Sequence, residues 1–263
     1  MKVFGRAGYT AKAVQYATIG GLAALAAFDG AGRETKDSKG ALREIATGPF
    51  GRILLLAMAI GLAGYALYCF VQAVLDPEHD AGAGAKGIAK RIGRFGAGLF
   101  HAGLVVYAIG LLTGVALGGH GGGQSARGWT AQLLAHEGGA WVVGAIGVGI
   151  GAFALFQIYE AWKADLDHQL CLDDLGTRAR RGVVQVSRFG IAARGFVFAL
   201  VGGFLVIAAV ESNPNEARGL GEALASLLEV TAGRILLGAV AVGLVAFGVY
   251  ELLRARYNRF ATG

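Results

Sequence analysis

The sequence predicts an all-α, polytopic membrane protein: six transmembrane helices forming three parallel two-helix repeats with pseudo-threefold symmetry, and short interfacial helices in the outer loops. Three observations carry that expectation. The 263 residues are 55% apolar and only 16% charged, with a mean hydropathy of +0.54, more apolar than a soluble domain. The run Gly51-Arg52-Ile53-Leu54-Leu55 returns as Gly233-Arg234-Ile235-Leu236-Leu237, and the same shift carries Arg6 and Gly8 onto Arg188 and Gly190. A second shift finds a weaker middle copy, setting Arg94 and Gly96 on Arg6 and Gly8, Gly149 on Gly61, and Phe156 on Tyr68.

Each copy holds two apolar stretches near the ~20 helical residues needed to cross a hydrocarbon layer. They run from Ala13 to Phe28, Ile53 to Leu75, Ala97 to Leu117, Ala140 to Trp162, Ile191 to Val210 and Ile235 to Leu253. Inside lipid every backbone amide must be satisfied within its segment, so these stretches read as helices. The copies divide the chain into 1–80, 81–170 and 171–263, one compact membrane domain overall. Between the spans of each copy lies an outer loop with apolar residues at helical spacing: Ala41 to Ile45, Trp129 to Leu134, and Glu222 to Leu228. Each is read as a helix in the outer interface, ending just before the Gly that opens the second span. The connections from Asp76 to Arg94 and from Lys163 to Arg188 are charged and read as cytoplasmic loops.

Glycine is abundant, at 45 residues, while proline numbers 3. In a membrane chain such small residues form seams that let helices approach closely, as at Gly20-Gly21, at Gly61, and at Gly147, Gly149 and Gly151. No strand or Gly-Lys-Ser/Thr ending accompanies them, so a phosphate loop is excluded. The run Gly118 to Gly123 reads as a turn outside the membrane. With both termini in the cytoplasm, about two thirds of the 24 Lys and Arg residues fall on the cytoplasmic side, as the positive-inside rule requires. The net charge of +6 then reflects topology and anionic lipid head groups, and no nucleic-acid partner is expected. Lys2 and Arg6 ahead of an apolar run ending Ala24-Leu25-Ala26 imitate a secretory signal, but the equivalent segment from Ile191 lies deep in the chain, so the first is a retained span. Cys69 and Cys171 would lie in a reducing compartment and stay free.

The opening motif Gly5-Arg6-Ala7-Gly8-Tyr9, with Gly93-Arg94-Phe95-Gly96 and Ser187-Arg188-Phe189-Gly190, resembles that of a family of bacterial membrane proteins, domain of unknown function 1206. So do the second-span openings Gly51-Arg52 and Gly233-Arg234. The likeness covers essentially the whole chain. It implies three tandem two-helix copies and a membrane address, here the bacterial inner membrane, and it brings no established reaction. The middle copy departs, with Gly139-Ala140 where Gly-Arg would stand and Phe100-His101 where the third copy has Arg194-Gly195.

Copies with an even number of spans all face the same way, so they are parallel repeats around an axis along the membrane normal, and a six-helix ring is the economical arrangement. In the second helices, Tyr65, Tyr68 and Gln72 share a face and correspond to Phe153, Phe156 and Glu160, then to Phe247, Tyr250 and Arg254. Beside them stand Cys69, Gln157 and Glu251, about 27 Å from the glycines that open those helices. Intramembrane ionisable residues are candidate pathway positions, and the candidates are Arg6, Arg94, Arg188, Arg194, Glu251, Gln157, Cys69, Glu160 and His101. Glu251 and Arg194 are expected to form a structural ion pair, Lys12 and Glu160 to play structural parts, and His101 to be a core or interface histidine. Heme ligation by His101 would lack a second axial ligand at that depth, because His79, His120, His136 and His168 fall in loops. Asp165, Asp167, Asp173 and Asp174 around His168 read as a solvated loop.

No Ser-centred elbow, His-Glu-x-x-His or Cys pair at metal spacing is present. The sequence therefore points to a non-enzymatic protein without catalytic, metal or cofactor residues. Its expected role is an accessory or assembly component in contact with lipid and other membrane proteins. The alternatives are a small transporter or channel with a path along the axis, and a lipid- or quinone-binding protein.

Overall fold

The computed structural model describes residues 2–29, 35–75, 84–115, 122–163 and 176–257, and among these it is entirely helical. Long helices α1 (Lys2–Asp29), α3 (Gly51–Val74), α4 (Ala85–Thr113), α6 (Gly139–Lys163), α7 (Thr177–Val210) and α9 (Gly233–Tyr257) form the bundle. Short helices α2 (Ser38–Thr47), α5 (Gly122–Leu134) and α8 (Leu220–Ser226) precede α3, α6 and α9, as the loop periodicity predicts. No proline interrupts a long helix: Pro49 sits in the corner before α3 and Pro214 in a 3-10 turn.

Several helices begin earlier than hydropathy indicates. The opening motifs lie inside α1, α4 and α7, and Ala85 to Arg94 and Thr177 to Arg188 are helix where charged loops were expected. Charge marks where a helix leaves lipid and not where it ends, so a hydropathy boundary falls short of the real one. The glycine run is corrected likewise, since Gly122 and Gly123 already belong to α5. The repeat boundaries at 80/81 and 170/171, together with Cys171, His79, His120, His168 and the four aspartates, lie outside the described residues.

Among the described residues five helices are long and apolar enough to cross a membrane: α3, α4, α6, α7 and α9. The sixth, α1, has the length at 28 residues, but Lys12 and Gln15 interrupt its apolar run.

One corner recurs in all three copies. The amides of Gly51, Gly139 and Gly233 donate to the carbonyls of Gly48, His136 and Val230 at 2.9, 2.9 and 2.8 Å, and each glycine opens a long helix. A Cβ on any of them would collide with a carbonyl of the short helical segment before it: Ala46, Leu133 or Leu227. Glycine is required there by space. Gly233→Ala should cost about 1–2 kcal/mol, because the short helix at the surface can partly shift, and a lowered thermal midpoint in detergent is the check.

Packing is sequential in a way the repeat explains. Helix α3 packs on α4, α6 on α7, and α9 on α1, so the second helix of each copy meets the first helix of the next. Within copies, α1 packs on α3 and α7 on α9, but α4 and α6 share no such interface among the described residues. The expected closed ring is therefore open at the middle copy. In copies 1 and 3 the same glycines make the contact. A Cβ on Gly8 would lie 2.5 Å from Tyr65 Cβ and one on Gly61 2.7 Å from Ala11 Cβ; Gly190 meets Phe247 and Gly243 meets Ala193 in the same manner. The middle equivalents, Gly96 and Gly149, have nothing within 4 Å. Where Ala11 and Ala193 admit a neighbouring backbone, the middle copy carries Leu99, 62% exposed, whose larger side chain forbids the same approach.

Candidate functional site

The polar residues of the long helices meet toward the end of the bundle at which α1 begins. Lys12 and Glu251 are only 4% and 1% exposed, and the Lys12 ammonium lies 2.6 Å from Glu251 Oε1. Lys12 also donates to the Tyr65 hydroxyl at 3.2 Å and lies 4.5 Å from that ring's centroid. On α7, Arg194 donates through Nε to the Tyr16 hydroxyl at 2.9 Å and through Nη1 to Gln157 Oε1 at 2.6 Å. Arg254 donates to the Tyr9 hydroxyl at 2.9 Å. Aromatic rings tie these cations together: Phe247 takes Arg194 at 4.8 Å and Lys12 at 5.9 Å, and Tyr9 takes Arg254 at 4.4 Å and Lys12 at 5.7 Å. Such contacts reach about 2 kcal/mol when desolvated.

The expected pair of Glu251 with Arg194 is corrected. Both belong to copy 3, but second helices pack against the first helix of the following copy, so Glu251 meets Lys12 and Gln157 meets Arg194. Lys12 and Arg194 are the same position in the repeat, as are Cys69, Gln157 and Glu251. One rule thus makes two of the three contacts, a cation on a first helix reaching an acceptor on the preceding second helix. At the third, the corresponding residues are Phe100 and Cys69, which carry no charge; Cys69 is buried and free of disulfide.

The other candidates separate. Arg6 and Arg188 are exposed at the α1 end, away from the cluster, because the opening motif sits a turn or more before Lys12 and Arg194. Arg94 is half-buried and donates to Gln72 Oε1 at 3.4 Å. Glu160 is half-buried. His101 is buried, its Nδ1 2.7 Å from the Ala97 carbonyl and its ring edge-on to Tyr65 at 4.7 Å, which is the core histidine expected. The aromatic face read for the second helices is buried or half-buried in copies 1 and 3, whereas Phe153 and Phe156 of the middle copy are 44% and 52% exposed, Phe153 meeting Phe198 of α7 edge-on.

Sequence reading gave Tyr9 and Gln15 no polar role, although Lys12 coinciding with Arg194 under the repeat could have drawn attention to their helix face. Gln15 Oε1, Gln157 Nε2 and Glu251 Oε2 are buried without a hydrogen-bond partner in the structure. Three cations, Lys12, Arg194 and Arg254, act on the buried Glu251 carboxylate. Among the described residues no three of His, Cys, Asp and Glu gather as a metal site.

The fold is all-helical, with five helices of membrane-crossing length and apolarity among the described residues and faces suited to lipid contact. The chain matches the family described as Domain of Unknown Function (DUF1206) three times, over residues 7–76, 92–164 and 189–258, and it belongs to that family. It is 32% identical over 258 residues to the uncharacterized protein YxxB of Bacillus subtilis (strain 168), a match covering 98% of this chain and 91% of that protein. No solved structure matches it.

Proposed function

We propose that the chain crosses the bacterial inner membrane six times, as three hairpins facing the same way around a pseudo-threefold axis, with both termini in the cytoplasm. In this reading it is a non-enzymatic accessory component that takes up an amphiphile from the bilayer through the flank between α4 and α6. Helix α1 supplies the sixth span: its Lys12 and Gln15 are buried among neighbouring helices, so its polarity faces protein and not lipid. The threefold axis is supported by the three equivalent interfaces between copies.

The carrying observation is the opposite fate of equivalent glycines, closed on a neighbour at Gly8, Gly61, Gly190 and Gly243 and open at Gly96 and Gly149. A face built like a helix-packing seam, yet unoccupied, offers room for something drawn from the membrane. Transport along the axis is the weaker reading, because the Lys12–Glu251 pair and its aromatic shell occupy the interior. Native mass spectrometry of the chain extracted in mild detergent should find one lipid-class molecule retained per chain. A chain that emerges bare, or proteoliposomes in which it moves ions at a rate abolished by Glu251→Gln, would overturn the proposal.

A further inference from the structure

We infer that the α4/α6 flank selects an amphiphile with an anionic headgroup, its acidic group held by Arg194 and Gln157 and its chains lying against α4 and α6. The inference rests on lateral uptake and names the chemistry of what is taken up.

Charge gives the first argument. Lys12 has Glu251, but both hydrogen-bond partners of Arg194 are neutral, the Tyr16 hydroxyl and the Gln157 carbonyl oxygen. A guanidinium carries five N–H donors, and these two bonds engage two of them. Glu251 acts on Arg194 only through space, with Lys12 directly bonded to it, and a phosphate or carboxylate matches the fork of a guanidinium. Gln157 adds a donor beside it: its Nε2 has no partner, and the residue is 6% exposed. Since Gln157 Oε1 is bound to Arg194 at 2.6 Å, the guanidinium and the free amide nitrogen sit side by side.

Depth gives the second. Gln157 stands 18 residues beyond Gly139, about 27 Å along α6 at 1.5 Å per residue. A hydrocarbon core is about 30 Å thick, so the donors lie near the boundary opposite the glycine corners, at the level of a lipid headgroup. Chains hanging from that level would run back along the helices toward the corners.

The walls give the third. Leu99 and Val106 on α4, and Ile146 and Phe153 on α6, are exposed. The copy-3 equivalents of Leu99, Ile146 and Phe153, namely Ala193, Val240 and Phe247, are buried. Phe153 joins wall to headgroup site, because its ring centroid is 5.8 Å from the Arg194 guanidinium. Apolar wall and cationic end therefore meet at one side chain, the layout an amphiphile demands.

The test is native mass spectrometry of the delipidated full chain, titrated with phosphatidylglycerol, with phosphatidylcholine of the same chains, and with inorganic phosphate. Phosphatidylglycerol should bind one per chain and about tenfold more tightly than phosphatidylcholine, the ratio expected of one charge-assisted hydrogen bond. Arg194→Gln should erase the preference, Arg194→Lys should keep part of it, and Gln157→Leu should weaken phosphatidylglycerol alone. Gly149→Leu, which fills open space, should weaken both lipids. Equal binding of the two lipids would sink the headgroup assignment while leaving lateral uptake standing, and binding of neither would sink both. Inorganic phosphate binding as tightly as phosphatidylglycerol would overturn the amphiphile in favour of a free anion. If Arg194→Gln does not fold, an undiminished preference in Gln157→Leu refutes the assignment.

Discussion

Lys12→Met should destabilise the bundle by about 3–5 kcal/mol, the cost of leaving a buried carboxylate without its partner. Glu251 is 1% exposed and its Oε2 already lacks a hydrogen bond, so removing the ammonium strips Oε1 as well. Glu251→Leu should be as damaging for the converse reason, since it leaves the buried Lys12 ammonium without its carboxylate partner. The double variant Lys12→Met/Glu251→Leu puts apolar volume on both sides and should recover at least about 1–2 kcal/mol relative to either single change, because a buried pair is worth less than the penalty for breaking it. Thermal unfolding in detergent, followed by circular dichroism, measures all three. A double variant as unstable as the sum of the singles would mean that the two groups do not depend on each other.

The hairpin repeat is legible in the sequence because membrane helices must satisfy their own backbone, so length and hydropathy translate almost directly into elements. Even the corners are legible, as Gly51, Gly139 and Gly233 mark them. Partner choice is not. Glu251 and Arg194 belong to the same copy, yet nothing in a linear pattern says that a second helix packs on the first helix of the following copy rather than on its own. Once that rule is known, Lys12–Glu251 and Arg194–Gln157 follow from the register alone, without any further structural information. Loop charge misled in another way: Arg178, Arg180 and Arg181 look like loop residues by composition, but they lie in the first turns of α7, and a helix can run on past the segment that lipid would cover. The open flank was written in one substitution, Leu99 for Ala11 and Ala193, whose meaning depends on knowing that Gly61 and Gly243 press against those alanines.

That substitution sets up the second large effect, a difference between equivalent positions. Gly243→Leu should abolish the α7·α9 contact, since even a Cβ there collides with Ala193, and it should cost about 3 kcal/mol or more because neither backbone can withdraw without parting the helices. Gly61→Leu should act alike against Ala11. Gly149→Leu, the same change at the same register, meets nothing within 4 Å and removes a flexible residue from a helix interior, so it should be neutral or stabilise by up to about 1 kcal/mol. Folded yield and thermal midpoints of the three variants, side by side in one detergent, give the comparison. If Gly149→Leu proved as damaging as Gly243→Leu, α4 and α6 would have to be in contact in the membrane, the flank would be closed, and neither lateral uptake nor headgroup selection could occur there.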